Sequence, residues 1–147
     1  MEYRHTQLGK VIIAALGIST ILVLLPFVGI GTPLANQLGV VIVLVIALVL
    51  FYSLTVEVSN GTLRCHFGPG IIRRRFSISE IEEVRSVRNP WYSGWGIRWR
   101  PGQYVLWNVS GRQAVELTLK GGKRFRIGTD EPDALVQAIQ TNKAASI

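Results

Sequence analysis

The chain carries no charged residue between Lys10 and Glu57, and beyond that stretch its polar and apolar positions alternate with period two almost to the C-terminus. Pro33 and the polar pair Asn36-Gln37 divide the uncharged stretch into two apolar segments of about 20 residues, each long enough as a helix to span a hydrocarbon layer of ~30 Å. Residues 41–50, V-I-V-L-V-I-A-L-V-L, have the composition of a buried strand, but the run continues in both directions without a charge, which favours a helix. The pattern predicts two transmembrane helices, about 11–31 and 34–53, with a kink or an early end at Pro26. A cleavable leader does not fit, because residues 30–36 hold no clean small-x-small site and a second apolar segment follows at once.

From residue 54 the periodicity is that of strands. In L-T-V-E-V-S, Val56 and Val58 share one face, and Asn60-Gly61 then gives the strongest short hairpin signal, since both central residues of a type I′ turn need positive φ. A two-residue loop sets Val58 opposite Leu63, Val56 opposite Cys65, and Glu57 opposite Arg64 on the outer face. Cys65 is then a packed core residue, and a single cysteine excludes an internal disulfide. A third strand over about 72–79 turns Ile72, Phe76 and Ile78 inward and Arg73, Arg75 and Ser77 outward. Arg74 breaks the alternation, which a bulge or a snorkelling side chain would resolve. Residues 83–88, 104–109, 113–119 and 124–127 supply four more strands. Parity across Gly121-Gly122 requires a three-residue loop, with Leu119 opposite Phe125 or Lys123. T-D-E-P-D-A-L-V-Q-A-I-Q closes the chain as one helix, capped at Thr129 or Asp130 and apolar along Leu135, Ala138 and Ile139.

Charge adds an orientation. Arg4 and Lys10 precede the first apolar segment, the connector at 31–37 has no charge, and 14 of the 16 Lys and Arg follow the second segment. Lys and Arg resist translocation, so both termini are expected to be cytoplasmic, with a short uncharged turn outside and Phe51 and Tyr52 at the inner interface. The chain divides into a tail (1–10), the two helices (11–53), a sheet domain (54–142) and a C-terminal tail (143–147).

Between the fourth and fifth expected strands lies N-P-W-Y-S-G-W-G-I-R-W-R-P-G, residues 89–102, holding three of the four tryptophans. Trp91, Trp95 and Trp99 are spaced as a helical stripe, but Gly94, Gly96, Pro90 and Pro101 argue for a loop. If each strand reverses direction from the membrane outward, this loop, the 68–70 turn and the 120–123 turn face the bilayer, whereas 60–61, 79–82 and 110–111 face away. Arg73, Arg74 and Arg75, with Trp91, Trp95, Arg98, Trp99 and Arg100, are the candidate binding residues, joined by Lys120 and Lys123. Tryptophan favours the headgroup layer and each basic side chain near anionic lipid contributes roughly 1 kcal/mol. The part from residue 54 onward has 14 basic and 8 acidic residues, a net +6 of matching sign. Three uses of the tryptophans stay open: contact with lipid, packing on the chain's own sheet, and contact with a protein partner.

Seven strands followed by one amphipathic helix is the order of a pleckstrin-homology-like (PH-like) barrel. With G-I-R at 96–98, A-V-E-L-T-L-K-G-G-K at 114–123 and R-I-G-T-D-E-P-D-A-L at 126–135, the chain resembles the bacterial PH-like domains found on small membrane proteins, over residues 54–142. The resemblance implies architecture: an α+β membrane protein in which a two-helix transmembrane hairpin precedes an antiparallel seven-stranded PH-like barrel with one C-terminal helix. It also implies a multi-pass place in the bacterial inner (cytoplasmic) membrane, and no catalytic residues. Phosphoinositide binding is not carried over, because the loop between the first two strands is only Asn60-Gly61.

The function classes narrow accordingly. One cysteine and two histidines, with no Ser/His/Asp or His/Glu neighbourhood and no phosphate loop, argue against an enzyme, a metal site or a cofactor. The net charge of +7 with interleaved aromatics is also the footprint of a nucleic-acid binder, but no motif accompanies it, and nucleic acid is not an expected partner. What remains is a membrane-anchored PH-like binding or scaffold module at the inner leaflet that recruits a protein partner or contacts anionic lipid. The alternative is an accessory or assembly subunit of a larger integral membrane complex.

Overall fold

The computed structural model describes residues 2–30 and 33–145. The middle of the expected turn between the helices, residues 31–32, and the last two residues of the C-terminal tail lie outside them. Strand β1 (Tyr3–Leu8) is followed by helix α1 (Lys10–Ile30) and helix α2 (Leu34–Phe51). Strands β2 (Ser53–Ser59), β3 (Thr62–Phe67) and β4 (Arg73–Ser77) come next, then β5 (Ile81–Arg88), β6 (Gly96–Arg100), β7 (Tyr104–Asn108), β8 (Gln113–Leu119) and β9 (Arg124–Gly128). Helix α3 (Pro132–Ala144) ends the chain.

The strands form two sheets, ordered β1-β2-β3-β4 and β5-β8-β9-β7-β6, and not the expected seven-stranded antiparallel barrel. Three differences separate the two. The N-terminal segment, expected to be a tail, pairs antiparallel with β2 from Tyr3↔Val58 to Leu8↔Ser53. The second half of the tryptophan stretch pairs with β7 as an edge strand, Gly96↔Asn108 to Arg100↔Tyr104. The residues between β5 and β6 join opposite edges of their sheet, so β7 meets β9 in parallel, Val105↔Phe125 to Trp107↔Ile127.

Within the elements the local chemistry acts as read. Asn60 and Gly61 take φ of 48° and 69°, and the hairpin sets Val58↔Leu63, Val56↔Cys65 and Glu57↔Arg64. Across the β8–β9 turn the Leu119 N–H donates to the Lys123 carbonyl at 2.8 Å, which pairs Leu119 with Lys123. Leu135, Ala138 and Ile139 of α3 are buried against the sheets. Its N-cap is Glu131, whose N–H donates to Thr129 Oγ1 at 3.1 Å. One core joins both sheets, with Phe51, Phe67, Trp107, Phe125 and Phe76 in successive ring contact at 4.8–5.6 Å between centroids.

Two helices form where the uncharged stretch predicts them, and they pack on each other. The membrane expectation is not upheld: among the described residues no helix is long and apolar enough to cross a membrane. The transmembrane hairpin, the multi-pass inner-membrane location and the cytoplasmic placement of both termini derived from it are therefore set aside. Much of the apolar surface of α1 and α2 is nonetheless exposed, Ile21, Leu22, Ile42 and Val43 among it.

The hairpin docks at one end of the sheets. The Gly9 N–H donates to the Tyr52 carbonyl at 2.7 Å, and Gly68 lies against the last turn of α2. A Cβ on Gly68, whose φ is +43°, would stand 2.5 Å from the Val49 carbonyl oxygen and 2.8 Å from that of Leu50. The 110–111 turn shares this end, since Gln7 Nε2 donates to the Ser110 carbonyl at 3.3 Å, and so does Asn89, whose N–H donates to the Arg112 carbonyl at 2.7 Å. At the far end the Ile78 N–H reaches the Gly61 carbonyl and the Lys120 N–H reaches the Glu80 carbonyl, both at 2.9 Å. Simple reversal of direction thus misplaces two turns: 110–111 is at the hairpin end and 120–123 is at the far end.

Candidate binding cleft

The first sheet ends at β4 and the second at β6, and the seam between them is open. A cleft of about 620 Å³ occupies it, lined by Arg74, Arg75 and Phe76 of β4, Trp99 and Arg100 of β6, Gly102 to Val105, and Leu119 and Gly121 to Phe125 around the β8–β9 turn, with Lys120 outside it. Arg74, Arg75, Arg100, Lys123 and Arg124 line it and no carboxylate does. None of these five is in an ion pair among the described residues.

Each wall follows from local structure. Arg74 is in register with buried Cys65 and so belongs to the core-facing set of β4. Its guanidinium escapes the core over the Phe125 ring, 5.6 Å from the centroid, so the broken alternation is resolved by snorkelling with the pairing uninterrupted. Arg73 and Arg75 pair with His66 and Arg64 on the outer face. Trp99, at 75% exposure, is in register with Val105, on the far edge of the second sheet. Arg100 reaches over both Tyr92 (5.3 Å) and Tyr104 (5.9 Å).

The eight candidate residues therefore fall into separate places. Arg74, Arg75, Trp99 and Arg100 meet in the cleft, whereas Arg73 lines only a smaller recess on the other side of β4, which Arg74 and Arg75 also border and which contains Glu57, Arg64 and His66. Trp91 lies in a single 3-10 turn, Trp91–Ser93, and is 77% exposed, while Trp95 is less so. Arg98 folds back, donating from Nε to the Trp95 carbonyl at 3.2 Å beside Gly94. Arg124 and Gln103 were not among the residues singled out in the sequence. Arg124 sits outward on β9, and only the fold shows that β9 ends opposite β4.

Behind the cleft the second sheet carries a fixed charge relay. Glu116 of β8 has no exposed surface and stands in register between Arg85 of β5 and Arg126 of β9. Arg85 Nη2 donates to Oε1 at 2.5 Å and Arg126 Nε donates to Oε2 at 2.6 Å. Burial pushes the Glu116 carboxyl up, but the hydrogen bonds from Arg85 and Arg126 outweigh it and hold the group below the usual carboxylate range. The bond to Glu116 raises Arg85 further. Arg126 also donates to Asn89 Oδ1 at 3.1 Å and lies 3.7 Å from the Tyr104 ring centroid, tying the start of the tryptophan stretch to the sheet. These charges are consumed internally, in contrast to those of the cleft.

Cys65 offers no nucleophile: burial pushes its thiol up to about 12. Among the described residues no group of three or more His, Cys, Asp or Glu could hold a metal ion. Comparison with known proteins finds no matching family, no matching curated protein and no matching solved structure.

Proposed function

We propose that this chain is a non-catalytic binding module that captures an acidic partner in the seam between its two sheets. The observation that carries this reading is the convergence of five basic side chains, none in an ion pair among the described residues, on one cleft without a carboxylate in its lining. Like charges so gathered repel one another, and an anionic ligand relieves that repulsion while forming charge-assisted hydrogen bonds. Trp99 and the Arg74–Phe125 stack add apolar wall, so the site favours a partner with side chains over a bare ion.

The test is titration of the full chain with a Glu/Asp-rich peptide, followed through tryptophan fluorescence and calorimetry. Binding that weakens with salt and drops at least about tenfold in Arg74→Glu/Arg124→Glu supports the reading, since each lost charge-assisted bond is worth about 1.5–3 kcal/mol. Binding unchanged by that double reversal removes it. Equal affinity for a single-stranded oligonucleotide would reduce the cleft to undifferentiated attraction for polyanions.

A second contact is favoured by a different observation. The exposed apolar flanks of α1 and α2 lie at the same end of the sheets as exposed Trp91 and Tyr92. Apolar area of that extent suits assembly with an apolar partner protein or an interfacial contact with anionic lipid. Flotation with anionic vesicles against co-purification with one stoichiometric protein separates the two.

A further inference from the structure

We infer that the acidic partner is held as an added β-strand along the free edge of β4; this rests on the binding-module reading above and specifies its geometry. β4 is the terminal strand of its sheet and pairs only with β3. One row of its backbone N–H and C=O groups therefore has no strand partner. No backbone hydrogen bond outside the sheets engages residues 73–77 among the described residues. Such a row is a template for a further strand unless the edge is blocked.

The side chains decide what can pair there. Three successive arginines, Arg73 to Arg75, put a guanidinium on both faces of the edge, since neighbouring residues of a strand point to opposite sides. A second copy of this chain would bring arginines against arginines, so self-pairing is disfavoured. An acidic strand meets the opposite situation. On the cleft side it faces Arg74, with Arg124 and Lys123 across the seam, and on the outer side it faces Arg73 and Arg75, beyond which Glu57 is already paired with Arg4. A sequence that alternates acidic and apolar residues would satisfy one face alone. The structure thus assigns an extended run of consecutive acidic residues as the ligand, with main-chain bonds supplying affinity and the arginines on both faces supplying selectivity.

The experiment uses the full chain and a blocked Glu/Asp octapeptide. A second octapeptide of the same sequence is N-methylated at every backbone nitrogen, and a third at alternate nitrogens only. Methylation leaves the charge in place and removes main-chain donors. A uniformly acidic strand can shift by one residue, so the third peptide still offers an unmethylated edge and should bind within a few-fold of the first. The fully methylated peptide should lose about tenfold or more, the sum of two or three hydrogen bonds at about 1 kcal/mol each. Hydrogen exchange of the 73–77 amides should slow when the unmodified peptide binds. Equal affinity of all three peptides overturns strand addition while leaving the acidic-partner reading intact. A loss on full methylation without slowed exchange in 73–77 overturns the choice of edge. If none of the peptides binds, both conclusions fall.

Discussion

Arg74 of the first sheet stands over Phe125 of the second, its guanidinium carbon 5.6 Å from the ring centroid, although the two residues share no strand pairing. The contact crosses the seam at the floor of the cleft and ties the basic edge of β4 to the aromatic core. Arg74→Lys keeps the charge and gives up the planar stack and its fork of donors, so acidic-peptide binding should weaken by a few-fold, about 0.5–1 kcal/mol. Calorimetry on the two proteins checks this, and an unaltered affinity would make Arg74 a point charge and nothing more.

Glu116 is the buried anion on which two arginines depend. Glu116→Ala leaves Arg126 in a largely buried place without its partner, and loss of a buried pair costs about 3–5 kcal/mol. The low end is expected, because Arg85 remains about half exposed and can turn to water. Urea unfolding of the full chain measures it, and a change below about 1 kcal/mol would show that the relay is not a stabilising element.

The same group sets an acid limit. The folded-state pKa of Glu116 is lowered, so its contribution is fully present above the unfolded carboxylate value of about 4.3 and is lost as pH falls through the depressed folded value. Stability of the parent should decline on acidification over that window. In Glu116→Gln the decline should be shallower, because no proton is taken up at that position. Parallel pH profiles for the two proteins would contradict this.

Gly68 joins the helical hairpin to the sheets at a backbone conformation that a side chain resists. Gly68→Ala combines φ of +43° with a Cβ 2.5 Å from the Val49 carbonyl oxygen, and strain of this kind costs about 1–3 kcal/mol before the clash is counted. The hairpin should loosen from β3, with faster proteolysis near residues 51–53 and a lower melting temperature. By contrast Gly96→Ala meets no atom within 4 Å, so only its positive φ of +85° should be felt.

Cys65 should be chemically silent. With its thiol pushed up to about 12 by burial, alkylation at pH 8 should be negligible in the folded chain and rapid in denaturant. Fast native-state labelling would mean that β2–β4 opens readily.

Much of the molecule was legible from local signals. Asn60-Gly61 dictated its own hairpin, and period-two parity placed Val56 with Cys65 and limited Leu119 to two partners, of which Lys123 is the one adopted. The apolar face of α3 was readable because a 3.6-residue period survives any docking angle. Tyr3–Leu8 was not, since Y-R-H-T-Q-L has no apolar face and becomes a strand by completing the edge of β2. Gly96–Arg100 was hidden by glycine and proline, which describe its flanks and not its pairing with β7. The uncharged stretch specified two helices, but a bilayer crossing was a further step that the described residues do not bear out.

The residues alone determined the three helices and most of the strands, which of their side chains turn inward, and that basic residues outnumber acidic ones, because these depend on composition and on neighbours a few positions apart. Only the tertiary structure decided that Arg74, Trp99 and Arg124 share one cleft and that Glu116 pairs with Arg85 and Arg126, while the five basic side chains of the cleft form no ion pair among the described residues. The reason is the long connection between β5 and β6: by joining opposite edges of a sheet it forces β7 beside β9 in parallel, and no local periodicity encodes which strand becomes the neighbour of which.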